Sequence, residues 1–264
     1  MKSIDLNGKV AIVTGGGGGI GCAIVRFLAE CGADIAVTGR NMEKANRAVK
    51  LASELGVKAK AYQLDITDED MVNTVFTQIK EDFKRIDILV ANAGKAGGEG
   101  LRYVDTSAMV AKSIVDVNMN GTGYCIKAAV NAMLQQKFGR IIVISSTAAR
   151  QGTVAATNYS MSKSALISMV QSVAQAHGKD GIHANCVCPG YVRTGMWDKG
   201  IDGISKKYNI SEDEAWEIIA LNNTATHRSS EPEDIGAAVA FLASDLAKCI
   251  TGQCLNVCGG SRFN

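Results

Sequence analysis

Tyr159 and Lys163 stand four residues apart in the stretch NYSMSK, where an apolar helical pattern begins. On a helix this spacing puts both side chains on one face, within reach of each other and of a shared ligand. A free tyrosine titrates at about pH 10 and is a poor acid or base at neutral pH, whereas a nearby ammonium favours the phenolate and draws that pKa down. No other tyrosine of the chain has a lysine four residues later. The pair reads as a tuned proton donor, against the plainer reading of an amphipathic tyrosine beside a solvated lysine. A second feature lies near the N-terminus. The run TGGGGGIG, Thr14 to Gly21, follows the apolar stretch KVAIVT and leads into a segment with apolar residues at Ile20, Ala23, Ile24 and Phe27. Glycines at a strand-to-helix turn let backbone approach a pyrophosphate, and the helix N-terminus adds unpaired N–H donors and a partial positive charge. The spacing here is Gly15-x-x-x-Gly19-Ile20-Gly21, which differs from the Gly-x-Gly-x-x-Gly dinucleotide fingerprint.

These residues need a scaffold, and the rest of the chain describes one. Strand-like runs occur at 9–14, 34–39, 58–64, 86–92, 139–146, 182–188 and 253–257, alternating with segments of helical length, the longest near 107–137 and 158–177. Continuous apolar runs such as IIVI imply burial on both faces, the habit of a parallel sheet covered by helices. The expected fold is a doubly wound, Rossmann-type α/β sheet of seven strands in a single domain spanning 1–264. Glycines gather at 15–21, 94–100 and 190–203, mostly at the carboxyl ends of the strands, where such sheets bind ligands. A formal net charge of +2 without any basic run gives no reason to expect nucleic acid or an anionic membrane as partner. No apolar run approaches the roughly 20 residues of a membrane span, and the N-terminus lacks a signal-peptide pattern, so a cytoplasmic protein is expected. The eight cysteines show no zinc-like spacing. Along a strand, Cys254 and Cys258 would lie roughly 13 Å apart, too far to share a metal. They read as small buried apolar residues, with a sensing thiol at Cys188 or Cys258 as the second reading.

With ANAG (91–94), YSMSK (159–163), PGYVRT (189–194) and EPEDIGAAVAFLAS…ITGQ (231–253), the glycine turn resembles the short-chain dehydrogenase/reductase family over essentially the whole chain. The resemblance implies hydride transfer between a nicotinamide cofactor and a carbinol or carbonyl carbon, with Tyr159 exchanging the proton on oxygen. Lys163 would lower the tyrosine's pKa and hold the ribose. Ser146, thirteen residues before Tyr159, would donate a hydrogen bond to the substrate oxygen, and Asn118 in DVNMNG would hold a water in the proton relay. Ser145 is the alternative to Ser146. The same resemblance assigns cofactor contacts to Gly15, Gly19, Ile20, Gly21, Arg40, Asp65, Ile66, Asn92, Gly94, Tyr159, Lys163, Pro189, Gly190, Val192 and Thr194. Taken singly, Ser146 reads as a cap, Asn118 as a backbone-bonded polar group and Asp65 as a helix cap, for which Asp68 is the better candidate. Two departures stand out: Cys258-Gly259-Gly260 where many relatives have Asp-Gly-Gly, and Ala91-Asn92 where they have two asparagines.

The residues after the second strand, Gly39-Arg40, offer no carboxylate to repel a 2′-phosphate and one guanidinium to bind it, so NADP(H) is the expected cofactor, with NAD open if Arg40 stacks or faces water. The resemblance places a mobile substrate lid at about 190–228, with two short helices around a break at Tyr208-Asn209-Ile210. Its length and its TGMWD opening look like those of polyol, sugar and acyloin dehydrogenases, and Met196 and Trp197 either line an apolar pocket or pack the lid. A hydroxysteroid or 3-ketoacyl thioester substrate is the alternative, and an acyl carrier would want a basic patch, faintly suggested by Arg102, Lys206 and Lys207. A cofactor-binding regulator without catalysis is the third reading. The resemblance also implies a homotetramer built on the long helices and the C-terminal segment.

Overall fold

The computed structural model describes residues 4–96, 102–152 and 156–263, so part of the glycine cluster at 94–100 lies outside the described residues. One sheet holds seven parallel strands: β1 (Val10–Thr14), β2 (Asp34–Gly39), β3 (Ala59–Gln63), β4 (Ile88–Ala91), β5 (Gly139–Ile144), β6 (Ile182–Pro189) and β7 (Cys254–Val257). Their order is β3-β2-β1-β4-β5-β6-β7. The doubly wound sheet expected from the apolar runs is present, with strand ends shifted by one or two residues. β1, β4 and β5 are buried along their whole length, which is why those strands read as continuous apolar stretches.

The helices are α1 (Gly19–Glu30), α2 (Met42–Glu54), α3 (Glu69–Phe83), α4 (Ala108–Val115), α5 (Thr122–Gln136), α6 (Thr157–His177), α7 (Asp198–Tyr208), α8 (Glu212–Ile219) and α9 (Pro232–Ala243). On one face α1, α2 and α9 bring Ile24, Leu28, Ala45, Ile235 and Val239 into a core with Val13, Val37 and Val90. On the other, α3, α5 and α6 set Phe76, Ile79, Met133, Leu166 and Val170 among Ile12, Leu89 and Ile141. Most helix starts follow from their caps: Asn41 accepts from the Lys44 N–H, Asp68 from Met71, and Ser211 with Glu214 forms a capping box. α7 and α8 form the expected pair of short helices, separated by Asn209 at φ 54° and packed around Ile201, Ala215 and Trp216.

The helix expected at 107–137 is present as one continuous helical run from Ala108 to Gln136, with a change of winding inside it. A π-helical turn, Asp116–Gly121, separates α4 from α5. The cause is a close approach: a Cβ at Gly121 would lie 2.8 Å from the Ile66 carbonyl oxygen, so the chain meets the loop after β3 backbone to backbone. The π turn also turns Asn118 wholly inward. Winding direction reverses between β1 and β4, and the crevice at that switch point is where an open α/β sheet binds its ligand.

Candidate active site

The carboxyl ends of the strands open into a cleft of about 910 Å³. Gly15, Gly19, Ile20, Gly21, Arg40, Asp65, Ile66, Asn92, Gly94, Ser146, Tyr159, Lys163, Pro189, Gly190, Val192 and Thr194 all line it, so the residues singled out from the sequence meet in one place, Asn118 excepted.

At one end β1 runs into the glycine turn. α1 begins with no side-chain cap and no acidic residue in its first turn, unlike α2, α3 and α8, so its leading N–H groups are left for an anion. The turn is too tight for side chains: a Cβ at Gly21 would strike the Gly15 carbonyl oxygen and lie 2.8 Å from Asn92 Nδ2. Asn92 holds this turn, donating from Nδ2 to the Thr14 carbonyl (2.9 Å) and the Gly15 carbonyl (3.2 Å). Buried Thr14 returns the link, its Oγ1 accepting from the N–H groups of Asn92 and Ala93 at 3.0 Å each. β1 and β4 are thereby tied together where a pyrophosphate would rest. The uncapped helix and the backbone-lined cradle fit a dinucleotide.

The adenosine end carries two exposed cations, Arg40 and Lys44, beside Thr38, Gly39 and Asp65. Asp65 accepts from the Thr67 N–H (3.0 Å) and hydroxyl (2.8 Å), and this backbone hydrogen bond, with Arg40 adding to it, holds its carboxyl below the usual carboxylate range. Asp68, not Asp65, caps α3.

At the other end, Tyr159 lies on the first turn of α6 and Lys163 one turn on, its Nζ 5.7 Å from the tyrosine ring centroid. Lys163 is 4% exposed, and Nζ donates to the carbonyl of Ile144 at 2.8 Å, one residue past the β4–β5 register. Burial pushes its pKa down to about 8, which leaves the ammonium charged at neutral pH. Ser145 is buried, its hydroxyl donating to the Lys163 carbonyl at 2.9 Å, and so serves to seat α6 on β5. Ser146 is the more open of the two; its Oγ accepts from the Ala148 N–H at 3.1 Å, which fixes the side chain while keeping its proton for another acceptor.

The Asn118 side chain makes three of its four possible hydrogen bonds within the protein. Its Oδ1 accepts from the Lys95 N–H (2.7 Å), and Nδ2 donates to the Lys95 carbonyl (2.9 Å) and to Ser162 Oγ (3.0 Å). It clamps the loop after β4 to α6 from a fully buried position. Met196 and Trp197 answer both alternatives: they line the cleft, while Trp197 also packs on Tyr191 (centroids 5.6 Å apart) and edge-on to Trp216 (5.8 Å). Sequence reasoning passed over Thr14, Lys44, Lys95 and the Ser261-Arg262 tail, all of which form or line the site. Only Lys44, in the first turn of the helix that follows Arg40, carried a usable signal.

Of the three cations that suggested a basic patch, Lys207 lies over the Tyr208 ring at 5.0 Å, and the other two, Arg102 and Lys206, meet carboxylates. Each is paired within the chain, to Asp105 at 2.7 Å and Asp202 at 2.8 Å. The thiols meet across strands and not along them: Cys254 pairs with Cys186 in the β6–β7 register, and Cys188 lies two residues on. Hydrogen bonding to Cys254 and burial push the Cys186 and Cys188 thiols up, while Cys254, facing both and Arg150, is pushed down. Among the described residues no group of ligating side chains could hold a metal, and no helix is long and apolar enough to cross a membrane.

A family model described as enoyl-(acyl carrier protein) reductase matches residues 15–262. The chain is 34% identical over 258 residues to a 3-oxoacyl-(acyl-carrier-protein) reductase of Aquifex aeolicus, covering 97% of this chain and 98% of the relative. The chain belongs to the short-chain dehydrogenase/reductase family. It is therefore a member of a family of oxidoreductases that act on alcohol and ketone groups. Among solved structures, NAD+-bound xylitol dehydrogenase superposes with a TM-score of 0.90 at 31% identity, covering 97% of this chain and 99% of that one. Actinorhodin polyketide ketoreductase with NADPH gives 0.89 at 31% identity, covering 96% and 97%. Members of the family thus hold either nicotinamide on this scaffold.

Proposed function

We propose that this chain interconverts a secondary alcohol and a ketone on a small substrate, using a nicotinamide cofactor and the residues Ser146, Tyr159 and Lys163. One observation carries the reading: the buried ammonium of Lys163 lies 5.7 Å from the ring of a tyrosine that opens onto the same cleft as the uncapped glycine turn. A bound nicotinamide supplies or accepts the hydride. In the reducing direction Tyr159 gives its phenolic proton to the substrate oxygen, and Ser146 donates a hydrogen bond to that oxygen as charge grows there. Lys163 stabilises the phenolate left behind, because its charge is buried and acts across a short distance. Asn118 acts by position: it fixes Lys95 and Ser162, and with them the wall of the cleft beside Lys163. Its Oδ1 keeps one lone pair with which it could hold the relay water.

Arg40 and Lys44, with no carboxylate following β2, support NADP(H) as the preferred cofactor. The intrachain pairing of Arg102 and Lys206 weakens the basic patch that an acyl carrier would use, leaving Lys207, which favours a small polyol, sugar or hydroxyketone. The ketoacyl-reductase relative keeps a 3-ketoacyl thioester as the second reading. The test is NADPH and NADH oxidation with a small diketone, a ketosugar, a ketosteroid and an acetoacetyl thioester. Turnover of the first two above the others is expected. Preference for the thioester would select the second reading, and inactivity on all four would overturn the oxidoreductase assignment in favour of a cofactor-binding regulator. The homotetramer expected from the family is supported by exposed Met109 on α4, Leu134 on α5, Met161 on α6 and Leu255 on β7.

A further inference from the structure

The substrate end of the cleft contains a cation that the mechanism does not use. β7 ends at Val257, and the chain then reverses through Gly259 and Gly260, at φ 57° and 76°. Both glycines are required by the left-handed backbone and by crowding: a Cβ at Gly259 would lie 2.6 Å from the Arg228 carbonyl oxygen, and one at Gly260 2.7 Å from Ala225 Cβ, at the end of the lid. The turn closes with the Ser261 N–H donating to the Cys258 carbonyl at 3.0 Å. Arg262 follows, its carbonyl accepting from Asn256 Nδ2 (3.3 Å) and from the Cys258 thiol (3.5 Å), so the backbone that carries the guanidinium is held at both sides.

Ser261 and Arg262 line the cleft with Tyr191, Met196 and Trp197 of the lid. The other lining cations are already engaged or lie elsewhere. Arg40 and Lys44 flank the adenosine end, Lys163 is buried against Ile144, and Lys95 Nζ donates to Ser113 Oγ at 3.0 Å. Asp65, at the adenosine end, is the sole carboxylate lining the cleft among the described residues, and none of these residues pairs a carboxylate with Arg262. Of its five N–H donors, Nη1 serves the Ser261 carbonyl at 2.7 Å. The others form a fork suited to an oxyanion.

We propose that the substrate carries an oxyanion, a carboxylate or a phosphate, and that Arg262 binds it, setting specificity beneath the lid. This rests on the oxidoreductase reading above and deepens it. Trp197 and Met196 lining the same cleft as this guanidinium fit, among the small substrates favoured above, a short ketone or alcohol whose far end is charged.

The test uses two matched pairs of ketones with NADPH: acetoacetate against its methyl ester, and dihydroxyacetone phosphate against dihydroxyacetone. The charged member of at least one pair is expected to exceed its neutral partner at least tenfold in kcat/KM, and the pair in which this occurs identifies carboxylate or phosphate. Arg262→Gln should lower that charged-to-neutral ratio at least tenfold, with the loss carried by KM. Arg262→Lys, which keeps the charge and loses the fork, should retain part of it. Equal turnover of charged and neutral members, or a ratio unchanged by Arg262→Gln, overturns the proposal and leaves the oxidoreductase reading intact. No turnover of any of the four by the unmodified enzyme overturns the small-ketone reading, and this proposal with it.

Discussion

Lys163 is the point at which the site makes a measurable demand on the fold. Its side chain is 4% exposed, and burial lowers its pKa from 10.5 to about 8. That gap corresponds to about 3 kcal/mol lost by the folded state whenever both folded and unfolded chains are protonated. Below about pH 8 the penalty is present in full. Between about pH 8 and 10.5 the unfolded chain keeps a proton that the folded one has released, so stability rises with pH across that window. Lys163→Met removes the titration. It also leaves the Ile144 carbonyl without its 2.8 Å donor, which returns about 1–3 kcal/mol of cost at every pH. At pH 7 the two proteins should therefore be of similar stability, although the variant has lost a charged residue and its hydrogen bond. The discriminating quantity is the change with pH: from pH 7 to 9.5 the unmodified protein should gain about 2 kcal/mol relative to Lys163→Met. Urea unfolding without cofactor, followed by the fluorescence of Trp197 and Trp216, measures both curves. Parallel curves across that range would refute the buried-ammonium account, since a lysine in contact with bulk water gives no such divergence.

Tyr159→Phe should lower kcat by about 100-fold to 10,000-fold, the usual worth of a positioned proton donor. NADPH affinity by fluorescence titration should stay nearly unchanged, and retention of full turnover would remove the tyrosine from its role. Arg40→Ala should reduce the NADPH-over-NADH preference in kcat/KM about tenfold, the equivalent of about 1.4 kcal/mol for one charge-assisted contact; an unchanged ratio would assign the 2′-phosphate elsewhere. Thr14→Val keeps the side-chain volume but cannot accept from Asn92 and Ala93. Asn92 N–H retains the Val90 carbonyl at 3.1 Å, so one orphaned donor remains and the cost should be about 1–3 kcal/mol in urea unfolding.

Much of this site is legible in the sequence because its parts are local. Tyr159 and Lys163 are one helical turn apart, and Gly15 to Gly21 form one strand-to-helix turn, so short-range geometry alone fixes each group. The strands are legible because both of their faces are buried, which leaves a continuous apolar run. What escapes is whatever depends on sheet order. Thr14 matters because β4 is the neighbour of β1, which brings Ala93 to its hydroxyl from 79 residues away. The sequence pattern spaces the cysteines only along each strand, while the register sets Cys254 opposite Cys186 on another. The π turn at 116–121, inside an otherwise legible long helix, escapes in the same way, because it lies at the contact with Ile66, which no periodicity in DVNMNG announces.

The same distinction explains why chemistry and specificity separate in this chain. The proton-transfer groups sit on β5 and α6, two elements locked together by Ser145 to Lys163 and by Lys163 to Ile144, so their geometry is set by the core. The groups that would choose a substrate sit on the lid and on the tail after β7, held to one another by the Gly259-Gly260 turn beneath Thr224 to Thr226. A rigid catalytic wall facing a wall made from two chain segments permits one reaction to be kept while the substrate changes. Substitutions at 145, 146, 159 and 163 should therefore act on kcat for every substrate alike. Those at Trp197 and Arg262 should redistribute KM among substrates, and a change at Gly260 should do so too, because any side chain there must move Ala225 and with it the lid.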